Sequence, residues 1–170
     1  VLQHVAMGQY GMVVVSPKDG YPTDNEVDRT YAIVQSEFYL QEGSGELHMM
    51  DLEAARAKDP TVVAFNGHTE ILNNEPLKAH PGERVRIHLL NAGPSITSSF
   101  HVIGAILDRV YYEGHPENEW HGMQTVLLGA SNGAVVEFIA PEEGHYTLVN
   151  HQFADAARGA KGTLVVAPIE

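Results

Sequence analysis

Cysteine is missing altogether from these 170 residues, which excludes a disulfide framework and any thiolate metal ligand supplied by the chain itself. Basic residues are scarce. Ten Lys and Arg against 22 Asp and Glu leave a formal net charge of −12, which argues against nucleic acid as a partner, because phosphate binding needs clustered cations. The same acidity suits solubility and a basic redox partner. No apolar run approaches the roughly 20 residues that span a bilayer, and no charged n-region precedes an apolar h-region. Internal repeats and low-complexity tracts are also lacking. What is present is 44% hydrophobic residues, enough for one full domain and part of a second.

The start, Val1-Leu2-Gln3-His4, enters mid-pattern, as the interior of a longer polypeptide would. Val13-Val14-Val15 is a β-branched run stopped by Pro17, and it reads as the last strand of a preceding domain, residues 1–17. Residues 18–28 carry turn chemistry and read as a linker. From Arg29 to the end, short apolar runs separated by turn signals predict one all-β domain, an antiparallel sandwich. The expected strands are Tyr31 to Tyr39, Val62 to Asn66, Leu77 to Ala79, Arg84 to Asn91, Ser98 to Ile106, Gln124 to Leu128, Ala134 to Ile139, Gly144 to Asn150 and Gly162 to Ala167. Pro81-Gly82-Glu83 turns into an alternating strand with Val85, Ile87 and Leu89 on one face and Arg84, Arg86 and His88 on the other. Asp51 to Lys58, acidic at its start and basic at its end, predicts a helix, and Gln152 to Ala160 a helical turn or two.

Ten histidines stand out in a chain of this size. His48, His68, His80, His115, His121 and His145 lie in loops or beside glycine and proline and read as solvated groups, while His88 faces the polar side of its strand. No His-x-His or His-x3-His pair suggests a self-contained zinc site. Two others end apolar, strand-like runs: His101 in Phe100-His101-Val102-Ile103, and His151 in Val149-Asn150-His151-Gln152. There a neutral imidazole can leave a sheet to face a metal or a substrate. A core histidine with a backbone partner is the plainer reading of His101. Near the start, His4 precedes Met7 and Gln9 on what reads as one tight loop, and a histidine with a thioether or amide is the donor combination of a mononuclear blue copper site.

These motifs, in order, resemble the C-terminal portion of a copper-containing nitrite reductase, a two-domain cupredoxin protein of the multicopper oxidase superfamily. The resemblance runs from His4 to Gly11, through Phe65-Asn66-Gly67, Ser98 to Gly104 and Gln124-Thr125, to Asn150-His151 and Gly159 to Gly162. It implies a cupredoxin-like Greek-key β-sandwich and two copper centres: type 1 copper as the electron entry, and type 2 copper between subunits as the catalytic site. By the same resemblance His151 matches the type 2 ligand given to a neighbouring subunit. His101 matches the histidine that helps deliver protons to nitrite, and Ile103 the apolar residue capping the substrate pocket. Thr125 would orient His101, with Gln124 beside it. His4 matches a type 1 ligand whose axial partner is Gln9, with Met7 as rival; a Gln oxygen in place of a thioether should lower the copper potential. The type 1 thiolate would have to come from upstream of His4. A homotrimer, a periplasmic or otherwise extracytoplasmic location and a small electron-donor protein, a cupredoxin or a cytochrome c, are implied as well.

Two other functions suit a cupredoxin sandwich. A laccase-like multicopper oxidase reducing oxygen would need His-x-His pairs, and Ile103 stands where a second histidine would follow His101. A non-enzymatic electron-transfer cupredoxin would pack His101 and His151 with no metal nearby.

Overall fold

Alternation decides the architecture. In β4 (Arg84–Gly93) Val85, Ile87 and Leu89 are buried, as expected, while Arg84, Arg86 and His88 take the opposite face. This strand follows a turn in which the Glu83 amide donates to the His80 carbonyl and Gly82 adopts φ +84°, a conformation that favours glycine. The computed structural model describes residues 1–43 and 46–169.

After a short helix α1 (Leu2–Ala6), the order is β1 (Val27–Phe38), α2 (Leu52–Ala57), β2 (Val62–Phe65), α3 (Ile71–Asn74), β3 (Leu77–Ala79), β4, β5 (Ser98–Val102), β6 (Arg109–Tyr112), β7 (Glu119–Trp120), β8 (Thr125–Leu128), β9 (Gly133–Ile139), β10 (Gly144–Asn150), α4 (Phe153–Ala157) and β11 (Lys161–Val166). They form a six-stranded sheet, β2-β1-β4-β9-β6-β7, and a five-stranded sheet, β3-β11-β10-β5-β8. Between the sheets lies one core built from Ile33, Phe65, Ile87, Phe100, Leu107, Val136, Phe138, Leu148 and Leu164 together with smaller residues. This is the all-β sandwich expected from the spacing of apolar runs and turns.

Several expectations need correction. The sandwich is not wholly antiparallel: β1 pairs with β4, and β3 with β11, in parallel. Long crossovers separate both pairs along the chain, and a crossover brings a strand back in the same direction. The strand expected over Ser98 to Ile106 ends at Val102, where Ala105 closes a turn onto the Val102 carbonyl and Gly104 adopts φ +91°. β6 and β7 were hidden by their shortness and by charged residues at Arg109 and Glu119, whose side chains pair with each other. His80 is not simply solvated, since its Nδ1 lies 2.7 Å from the Ala167 carbonyl and ties down the end of the last strand.

The first 28 residues differ most. Val13, Val14 and Val15 join neither sheet and are 87%, 50% and 81% exposed; a strand needs a ladder partner, and neither sheet pairs with this run. His4 lies within α1 rather than on a tight loop. Ala6 of that helix packs with Tyr39, Met50 and Ala55 in a small satellite core. Residues 18–28, expected as a linker, are fastened to the six-stranded sheet, and β1 begins inside them at Val27. Tyr21 is buried against Tyr111 and its hydroxyl donates to the Gly114 carbonyl at 2.6 Å. Thr23 donates to Glu137 at 2.8 Å. Arg86, almost wholly buried, reaches Asp24 at 2.5 Å and Glu137 at 2.8 Å, with its guanidinium over the Tyr21 ring. Desolvation works against the charge on Arg86, but bonds to Asp24 and Glu137 outweigh it and raise its pKa.

Candidate metal centre

Strand register brings His101 and His151 together. In the five-stranded sheet β5 lies between β10 and β8, and His101 is opposite Val149 on one side and Thr125 on the other. Side chains alternate along a strand, so His151, two residues after Val149, falls on the same outer face as His101. The His151 amide donates to the Ser99 carbonyl at 2.7 Å, extending the β10–β5 pairing one residue past the strand. The two imidazole centroids are 5.4 Å apart with planes inclined at 56°. Phe153, opening α4, stacks on the other side of the His151 ring at 4.4 Å.

The two rings have different surroundings. His101 is 8% exposed, and its Nδ1 is hydrogen-bonded to the Gln124 carbonyl. A carbonyl can only accept, so Nδ1 carries the proton and Nε2 is the nitrogen left to gain or lose one. His151 is exposed. Ile103 is 43% exposed two residues beyond His101, its amide held by the Thr147 carbonyl at 2.9 Å. Thr125 is half-buried and shares the His101 face by register, but the bond to the ring comes from the backbone of Gln124. Leu127, on the same face as Thr125, is 60% exposed, and Phe153 59%. The imidazole pair therefore has an apolar rim.

His4, Met7 and Gln9 are exposed and sit elsewhere, on and just after α1, which packs against β1 and β4 of the other sheet. The Gln9 amide donates to the His4 carbonyl at 2.9 Å, so these residues follow each other within about one turn. Four residues beyond expectation complete the picture beneath the histidines. Asn150, wholly buried, accepts through Oδ1 from the amides of Ser99 (3.0 Å) and Gln152 (3.1 Å), and donates through Nδ2 to Asp155 (3.3 Å). Glu37, also buried, accepts from the Tyr39 hydroxyl and from the amides of Ser95 and Ile96, fixing the loop that leads into β5. Gln35, on the same strand, accepts from Ser98 at 2.8 Å. Burial raises the pKa of Asp155 against the lowering effect of Arg158 and Asn150, and raises Glu37 against its own hydrogen bonds. A polar residue at strand parity next to a candidate ligand is the one sequence signal that Asn150 offered.

Among the described residues no three His, Cys, Asp or Glu side chains lie together closely enough to hold a metal ion. An exposed imidazole on an open face, beside a second ring held by a backbone carbonyl, fits a shared centre completed by donors from outside these residues and does not fit a self-contained one. Imidazole nitrogen suits copper, and without cysteine these residues cannot complete a thiolate copper site.

The chain is 43% identical over 168 residues to a copper-containing nitrite reductase of Neisseria gonorrhoeae, an alignment covering 96% of this chain and 42% of that protein. This chain resembles the copper-containing nitrite reductases. The counterpart from Neorhizobium galegae is 30% identical over 178 residues, covering 94% of the chain and 46% of the relative. The solved copper-containing nitrite reductase of Thermus scotoductus SA-01 superposes with a TM-score of 0.83 at 38% identity, covering 92% of this chain and 36% of that one. The copper nitrite reductase of Nitrosomonas europaea gives 0.82 at 35%, covering 98% and 58%. A multicopper oxidase structure at 24% identity and TM-score 0.81 supports the fold alone. The fold is thus the expected cupredoxin-like β-sandwich. No family model matches the chain. It spans less than half the length of the curated nitrite reductases it matches.

Proposed function

We propose that this chain forms the C-terminal portion of a copper-dependent nitrite reductase that makes nitric oxide, with residues 1–17 closing a first cupredoxin domain and residues 29–170 forming the second. The observation that carries the reading is the His101–His151 pair, 5.4 Å apart on one sheet face, with Nδ1 of His101 committed to a backbone carbonyl. Reduction of nitrite to nitric oxide and water consumes one electron and two protons, so the site needs an anion-binding metal and a titratable donor within hydrogen-bond reach.

In this reading His151 supplies one nitrogen to a type 2 copper at a subunit interface, and the remaining donors come from a neighbouring copy. When bound, copper supplies a Lewis-acidic anchor for the nitrite anion and a route for the electron. His101 would carry its transferable proton on Nε2, because Nδ1 is occupied by the Gln124 carbonyl. Ile103 limits the room above the anion and keeps water out, while Thr125 shares the His101 face and takes part in fixing the ring. His4 and Gln9 would help to hold the type 1 copper, Gln9 through its amide oxygen, with the thioether of Met7 as the rival donor. A homotrimer repeats the shared interface and closes it. A small cupredoxin or cytochrome c delivers electrons, and the protein works outside the cytoplasm; no helix among the described residues is long and apolar enough to cross a membrane.

Replacing His151 with Ala tests the core of this reading. The expected result is loss of the type 2 copper signal in electron paramagnetic resonance and loss of nitrite turnover, with the type 1 absorption retained. Unchanged copper content and turnover would mean that the ring is packing alone and would overturn the assignment.

A further inference from the structure

The His151 ring stands at the end of an interior strand, on the residue after its last position, where backbone usually frays. Here the His151 amide still reaches the Ser99 carbonyl, and one side-chain amide ties down the backbone beside that bond. Asn150 Oδ1 accepts from the Ser99 amide on the neighbouring strand and from the Gln152 amide on the far side of His151, so residues on both flanks of the ring converge on a single oxygen. Asn150 has no exposed surface, and its own amide donates to the Ala160 carbonyl at 3.0 Å. An amide group can flip and exchange its oxygen for its nitrogen; the orientation is set by Asp155, whose carboxylate accepts from Nδ2 and would repel Oδ1. Gln152 adds a tie across the same gap, donating to the Thr97 hydroxyl at 2.6 Å.

We propose that Asn150 and Asp155 act as positioning residues, a donor–acceptor clasp that holds the backbone of His151 against β5 and so fixes the separation of the two imidazoles. The significance of that separation rests on the reading of His151 as a copper ligand; the clasp itself rests on the hydrogen bonds. Asp155 can serve because α4 starts two residues after His151 and turns its buried face under Asn150. Gly159 then lets the chain return at once into β11: at φ +122° a Cβ there would lie 2.8 Å from the Val63 carbonyl.

The test exchanges the two partners in the full-length protein. Asn150→Asp alone sets two carboxylates against each other, and hydrogen exchange of the Ser99, His151 and Gln152 amides should speed up by about tenfold or more relative to Val136 in the opposite sheet. The double variant Asn150→Asp/Asp155→Asn restores the bond with roles reversed: the carboxylate at 150 accepts from both backbone amides and the amide at 155 donates to it. Exchange rates at the three positions should return to within a few-fold of the wild type. Should Asn150→Asp fold poorly, Asp155→Ala reads the same amides with only the orienting acceptor removed. Equal rates in wild type and single variants, or a double variant no slower than Asn150→Asp, would overturn the clasp. In the same samples the type 2 copper signal should broaden and weaken in Asn150→Asp and recover in the double variant. A wild type without copper at His151 would instead overturn the ligand assignment, since the amide rates alone decide the clasp.

Discussion

At residue 101 one hydrogen bond decides which ring nitrogen is free to exchange a proton. The Gln124 carbonyl holds Nδ1–H, so in the proposed reading a substitution that removes Nε2 removes the transferable proton and leaves the proposed ligand His151 in place. Changing His101 to Asn should therefore lower nitrite turnover by roughly 10²–10⁴-fold while copper content, measured by metal analysis, stays at the wild-type level; the acid limb of the pH–rate profile should change with it. Glu37 presents the opposite case, a buried carboxyl serving structure. Burial raises its pKa, so the folded chain holds this proton more tightly than the unfolded chain does. The resulting stability is fully present below the ordinary carboxyl range and is lost as pH rises through the raised value. Glu37→Gln keeps an oxygen for Tyr39, Ser95 and Ile96 and should reduce that loss, giving a gain on the order of 1 kcal/mol at pH 8 over pH 5 in urea unfolding. The histidines were legible because each ends an apolar run. Glu37, Asn150 and Asp155 were not, because their roles depend on partners that lie up to 59 residues away and that only the fold brings together.

Elements were legible in proportion to the strength of their local pattern. α2 carried its own punctuation: the Asp51 side chain caps it by accepting from the Ala54 amide at 2.9 Å, and Lys58 closes it in the left-handed region. Asp51→Ala should cost about 1 kcal/mol of stability, seen as a lower thermal midpoint by circular dichroism, with the metal site unaffected. β4 was equally readable, since its first three inward residues, Val85, Ile87 and Leu89, are all aliphatic. β1 starts earlier than its local pattern suggests because Asp28, Arg29 and Thr30 are polar and Val27 to Thr30 are at least partly exposed; what makes them a strand is parallel pairing with β4, 57 residues further on at Val27 and Arg84. Periodicity cannot report such a partner. The valines at 13–15 show the converse, a strong β pattern left without a ladder.

For the whole molecule, the outer face of the five-stranded sheet matters most. Ile103, Leu127 and Phe153 are each more than two-fifths exposed around an imidazole pair that lacks a third donor among the described residues. In the proposed reading a second copy would cover this apolar surface and complete the coordination of His151 at the same face. Dilution should then release copper: metal content per subunit, followed by sedimentation and metal analysis across a concentration series, is expected to fall as the assembly dissociates, with the type 2 signal lost before the type 1. The overall class and the family resemblance were readable from ordered motifs. Assembly was implied by that resemblance and not by any residue pattern.

Arg86 adds one more consequence. A guanidinium sealed between Asp24, Glu137 and the ring of Tyr21 leaves the stretch before β1 nowhere to swivel. Turning Tyr21 to Asp24 away from the sheet would drag that cation out of its seat, so in the proposed reading, with an electron entering near His4, the last few residues ahead of the sandwich keep their span from one turnover to the next.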